Sequence, residues 1–139
     1  MKKIKAGVIG GGNIAEFHLN DMVKNENIIP YALCDVNQES LDKTGDRYNI
    51  PKENRYTDYK ELLARSDIDM VFICNPNNPV GKVADKKKAQ HIAEVCDERE
   101  IVCVFDECFM DFTPIRERYF SPEAAAKAIK DEIRERFGF

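Results

Sequence analysis

The chain has 139 residues, 43% hydrophobic and 33% charged, which suits one globular domain and argues against disorder. A formal net charge of −4 gives no general attraction to nucleic acid or to an anionic membrane. No apolar run approaches the roughly eighteen residues of a transmembrane helix, so neither class of partner is expected.

The opening stretch KIKAGVIGGGNIA, Lys3 to Ala15, organises the rest. Ile4, Ala6, Val8 and Ile9 read as a short buried strand, which breaks on Gly10-Gly11-Gly12 before an amphipathic run begins. Gly10, Gly12 and Ala15 fit G-x-G-x-x-A, the turn that sets a dinucleotide pyrophosphate on a helix N-terminus. Gly10 allows the tight turn, Gly12 lets backbone approach phosphate, and the small Ala15 lets the helix pack close to the strand. The same turn would also serve simply to pack a parallel sheet.

A first helix is expected from Asn13 to about Asn25, with Ile14, Phe17, Met22 and Val23 on its apolar face and Ala15 and Leu19 beside them. His18 lies near that stripe and reads as a packed or half-exposed histidine rather than a catalytic base. Ile28 to Asp35 is a second strand, and Val36-Asn37 leads into a second helix that ends near Tyr48. Asp35 falls twenty-three residues after Gly12, where a carboxylate can accept from the ribose hydroxyls and repel a 2′-phosphate. That position favours NAD over NADP, although an aspartate there can equally cap the following turn.

Residues 51–56 read as a loop, Tyr59 to Ala64 as a short helix anchored by Leu62 and Leu63, and Asp69 to Cys74 as a third strand. A third main helix is expected over roughly Lys82 to Arg99, with Val83, Ala89, Ile92, Ala93 and Cys96 inward and Asp85-Lys86-Lys87-Lys88 toward solvent. Ile101 to Phe105 is a near-continuous apolar fourth strand, as befits a strand covered on both faces. The implied fold is a Rossmann-like three-layer α/β/α domain over 1–139 with a four-stranded parallel sheet in the order 3-2-1-4, which covers both faces with helices; the other order, with the fourth strand beside the third, leaves one face poorly covered. The order 3-2-1-4 puts Gly10, Asn75 and Asp106 on one rim, with Asp106 and Glu107 as paired carboxylates that read as a water-exposed strand end.

The five cysteines, Cys34, Cys74, Cys96, Cys103 and Cys108, are odd in number, mostly within apolar runs, and form no C-x-x-C pair. Reduced core thiols are expected, and no metal site. MKKIKAGVIG runs directly into a strand with no leader-like segment, which suits a cytoplasmic protein.

Residues 1–77 resemble the NAD(P)-binding domain of the Gfo/Idh/MocA oxidoreductases through KIKAGVIGGGNIA, ALCDVNQESL and YNIPKENRYTDYKELLARSDIDMVFICNPN. The resemblance implies NAD(P) at the glycine loop and the acidic residue, but the Glu-Lys-Pro motif that carries that family's catalytic lysine does not occur here. Residues 74–114, CNPNNPVGKV and then IVCVFDECFMDFTP, resemble the fold-type I pyridoxal-phosphate aminotransferases of the histidinol-phosphate aminotransferase and threonine-phosphate decarboxylase type. That resemblance implies Asn78 on the cofactor's phenolic oxygen and Asp106 on its pyridinium nitrogen. Phe109 stands where many relatives carry tyrosine, and no segment matches the Schiff-base lysine or the phosphate loop.

The two resemblances overlap at Cys74 to Asn77. From Ser121 the chain resembles a designed capping helix, with Pro122 and Glu123 in its first turn, Ala125, Ile129, Ile133 and Phe137 on one face, and Gly138 as its stop.

Together these features resemble an engineered chimera divided at 1–77, 78–114 and 115–139. The expected function is a scaffold with no complete catalytic site, not an enzyme, that retains at most weak NAD binding. The alternative is an NAD-dependent oxidoreductase or its cofactor-binding fragment. Gly10, Gly12, Asn13, Ile14, Asp35 and Asn75 are the candidate cofactor-binding residues. Pyridoxal phosphate is not expected, and the chain is read as a monomer or homodimer.

Overall fold

A computed structural model of the protein describes residues 2–10, 12–74, 86–106, 131 and 133–138. In chain order the elements are β1 (Ile4–Ile9), α1 (Asn13–Lys24), β2 (Ile28–Cys34), α2 (Gln38–Arg47), a 3-10 turn (Lys52–Asn54), β3 (Arg55–Tyr56), α3 (Tyr59–Leu63), β4 (Met70–Cys74), α4 (Lys86–Glu98) and β5 (Val102–Asp106). All ladders are parallel, in the order β3-β2-β1-β4-β5. The alternation of strand and helix is the α/β logic read from the sequence, and the class is as expected.

Which strand holds which place differs from that expectation. The segment 55–56, read as loop, pairs with Leu33 and Cys34 and takes the edge beside β2. The apolar strand over 70–74, expected at that edge, instead lies against β1, with Ala6 opposite Met70 and Ile9 opposite Ile73. The strand over 102–106, expected beside β1, lies outside β4, with Met70 opposite Val102 and Cys74 opposite Asp106. The cause is burial. Met70, Val71, Ile73 and Cys74 are all buried, and a neighbour on each side satisfies their backbone as well.

The helix α1 buries Ala15, Leu19 and Met22, an i, i+4, i+7 row, against Ala6, Val8 and Leu33. Phe17 and Val23, expected inward, are 67% and 54% exposed, because the row led by Ala15 sets the helix's rotation against the sheet. On α4 Ala89, Ile92 and Cys96 are buried as expected, Ala93, also expected inward, is only half-buried, and Lys87 and Lys88 face solvent. Ile92 and Cys96 join Leu62, Ile68, Val71 and Ile73 in the core around β4. Val83 and Asp85 lie outside the described residues.

Residues 133–137 are helical, and Ile133 and Phe137 pack on Ile4, Met70 and Val102. The Arg136 guanidinium donates to the Glu100 carbonyl. Half of the expected C-terminal stripe is therefore seated on the sheet; Ala125 and Ile129 lie outside the described residues.

Candidate functional site: the glycine turn and the carboxyl rim

Gly10 continues the first ladder, its N–H donating to the Cys34 carbonyl at 2.9 Å, and then turns the chain with φ of 96°. A side chain at that φ is strained, so the turn requires glycine at this position. Gly12 follows as the N-cap of α1 in extended backbone, with no side chain to cap the helix. Its carbonyl accepts from Glu16 N at 3.3 Å, the first turn of the helix. Asn13 and Ile14 are the first two residues of α1, so their amides belong to its N-terminus. The arrangement offers backbone donors and the positive end of a twelve-residue helix beside the end of β1. Glu16 in that first turn is paired with Arg47 of α2 at 3.1 Å.

Asp35 closes β2 next to this turn and is only 6% exposed. Asn37 N donates to Oδ1 at 2.9 Å and Ser40 Oγ to Oδ2 at 3.0 Å. The turn-capping role is therefore realised, and each carboxylate oxygen keeps one further acceptor site. Beside it Val36 is 84% exposed and Cys34 is buried. Burial, reinforced by the Asp35 charge, pushes the Cys34 thiol up to about 12, so it packs as a neutral group.

On the other flank of the rim, Asp106 ends β5. Its Oδ2 lies 2.7 Å from Nε2 of His18, which comes from α1 and stacks obliquely on Phe72 at 5.1 Å between centroids. The sequence placed His18 as a packed or half-exposed histidine and Asp106 at an exposed strand end. The structure brings the two together, and Asp106 is partly buried. No spacing in the sequence signals this pair, because it joins residues 88 apart across three strands. The missed support of Asp35 did have a signal: Asn37 stands three residues before Ser40, the spacing of an N-cap and its bonded amide, and Asn37 Oδ1 accepts from Ser40 N at 2.9 Å.

Of the candidate residues, Gly10, Gly12, Asn13, Ile14 and Asp35 thus gather at the carboxyl ends of β1 and β2. Asn75, Asn78, Glu107 and Phe109 lie outside the described residues. Among the described residues no cluster of three metal-ligating side chains occurs.

A family model for aminotransferase class I and II matches residues 41–132, more than half of the chain. The chain belongs to this aminotransferase family. A histidinol-phosphate aminotransferase of Aliivibrio fischeri is 31% identical over 98 residues, covering 58% of this chain and 28% of that protein. A different relative is the uncharacterized oxidoreductase YrbE of Bacillus subtilis, 32% identical over 75 residues, covering 54% of this chain and 21% of that protein. This member of the aminotransferase family thus spans under a third of either relative. Its fold is similar to an oxidoreductase from Agrobacterium radiobacter solved with NAD+, L-tartaric acid and magnesium, with a TM-score of 0.63 over 96% of this chain and 33% of that one at 19% identity. At that identity the likeness is one of fold. The aminotransferase-family match and the oxidoreductase-like fold meet in one continuous sheet.

Proposed function

We propose that the chain is a dinucleotide-binding fragment that takes NAD in preference to NADP, on a mosaic scaffold without a complete catalytic site of its own. The observation that carries the reading is Gly10 at φ of 96° leading into an α1 N-terminus whose N-cap is Gly12, a residue with no side chain to cap it. Backbone amides and the helix dipole there favour a pyrophosphate, and a Cβ at Gly10 would be strained. Asp35 adds acceptor sites for ribose hydroxyls and a charge that opposes a 2′-phosphate. The similar fold of the Agrobacterium radiobacter oxidoreductase, solved with NAD+, supports the same ligand class. When bound, the nicotinamide would supply hydride chemistry; this chain's residues bind and orient the cofactor. The Glu-Lys-Pro motif is absent from the sequence, which supports binding without turnover.

The second reading, pyridoxal phosphate held through Asn78 and Asp106, is favoured by the family match and by the parallel pairing of β4 with β5. Oδ2 of Asp106 lies 2.7 Å from His18 Nε2, so His18 would compete with a pyridinium nitrogen for that oxygen.

Calorimetric titration with NAD+ and NADP+ tests the proposal, on the wild type and on Gly12→Asp. Saturable NAD+ binding, weaker NADP+ binding and loss of both in Gly12→Asp are expected, since a carboxylate at the helix cap repels the pyrophosphate. A cooperatively folded wild type that gives no saturable heat with millimolar NAD+ would contradict it.

A further inference from the structure

Asp35 does not stand alone in selecting a dinucleotide. Its carboxylate is nearly buried, yet it is held from two sides by groups of the following segment, Asn37 N on Oδ1 and Ser40 Oγ on Oδ2. Ser40 is itself fixed, because its N–H donates to the Asn37 side chain that caps α2. The chain Asn37, Ser40, Asp35 therefore closes on itself and ties the carboxylate plane to the first turn of α2. A carboxylate with one free oxygen turns about its Cβ–Cγ bond; one with a fixed donor on each oxygen does not.

We propose that Ser40 is a positioning residue for cofactor selection. Its hydroxyl sets the carboxylate of Asp35 so that the acceptor sites left on the two oxygens meet a pair of ribose hydroxyls, and so that the charge stays opposed to a 2′-phosphate. This inference rests on the NAD reading above. A role confined to helix capping would make a different demand: the Asn37 side chain already supplies the cap through the Ser40 amide, and that bond does not need the Ser40 hydroxyl.

The test measures dissociation constants for NADH and NADPH by fluorescence, with far-UV circular dichroism to monitor folding, on wild type, Ser40→Ala, Ser40→Thr and Asp35→Ala. Ser40→Ala keeps the backbone cap; it is expected to weaken NADH about fivefold while leaving NADPH unchanged or tighter, so that selectivity contracts. Ser40→Thr, which keeps the hydroxyl, is expected to restore the wild-type ratio. A ratio within about twofold of wild type in folded Ser40→Ala, alongside a collapsed ratio in Asp35→Ala, overturns the role of Ser40 and leaves the NAD reading intact. If wild type binds no NADH, the NAD reading itself fails and takes this inference with it. If Ser40→Ala does not fold, Ser40→Cys carries the same comparison, and an unchanged ratio in that variant overturns the proposal.

Discussion

Arg55 belongs to a strand of two residues, and its side chain explains why so short a strand holds its place. The side chain is 7% exposed and donates from Nε to the Ile50 carbonyl at 2.9 Å and from Nη2 to Asp46 at 2.7 Å. It lies across α2 where Gly45 leaves room: a Cβ built there would meet the Arg55 Nε at 2.2 Å. Gly45→Ala would gain about 1 kcal/mol of helix propensity in an exposed helix. Here it displaces a buried guanidinium and its bonds, so a net loss of roughly 1–3 kcal/mol is expected, read as a lower urea midpoint. An unchanged or raised midpoint would contradict this packing.

A second residue-scale prediction concerns acid. The Arg65 guanidinium, bonded to both oxygens of Asp67 at 2.7 Å, holds that carboxyl well below the usual range, burial opposes the shift, and the Tyr31 hydroxyl assists from 2.6 Å. A lowered folded value means that the stabilisation is complete above the unfolded value near about 4 and is lost as pH falls through the folded value. Urea midpoints of wild type and Asp67→Asn should therefore differ most at neutral pH and converge in strong acid. Curves that stay parallel throughout would refute the linkage. The glycine spacing and Asp35 were readable in the sequence because they are local. The Arg55 niche was not, since it is assembled from α2, the loop before β3 and β3 itself.

At the level of elements, α1 is fastened both by its apolar row and by a polar contact. Leu19 and Met22 bury against the sheet, and His18 reaches Asp106 at the end of the edge strand β5. The two side chains are 26% and 18% exposed, so neither is left to bulk water. Removing His18 leaves a partly buried carboxylate short of one partner. His18→Ala is expected to cost about 1–3 kcal/mol, and a double-mutant cycle with Asp106→Asn should return a coupling of about 0.5–2 kcal/mol. Zero coupling in urea denaturation would show that the pair does not brace α1 to β5. The sequence located α1 to within a residue, Asn13 to about Asn25 against Asn13–Lys24, yet misplaced two residues of its face. Phe17 and Val23 are apolar enough to draw the eye, but burial follows the row begun by Ala15, which must sit close to β1. Strand β3 escaped detection because two residues carry no periodicity.

Across the whole molecule, the two resemblances in the sequence come together in the β4, α4, β5 unit. The stretch that resembles oxidoreductases, residues 1–77, spans β1 to β4, and the aminotransferase-family match, residues 41–132, spans β3 to β5, with β4 and β5 paired in register from Met70 and Val102 to Cys74 and Asp106. Expecting the fourth apolar strand beside β1 rested on helix cover for both faces. That expectation failed because β3, unseen in the sequence, already occupied the outer edge, and because β4 needed two neighbours for its buried run. The parallel α/β class was legible from alternation alone. The identity of neighbouring strands was not, because it depends on which edge the chain has already filled.

On the proposed function, the ligand sits at the glycine turn and not at the carboxyl end of β5. An amide-resolved NMR titration of the 15N-labelled protein with NAD+ tests it most directly. The Gly10, Gly12 and Asn13 amides and those from Asp35 to Ser40 are expected to shift together along one saturating curve. Silent amides at those positions, or changes gathered only at residues 102–106, would contradict it.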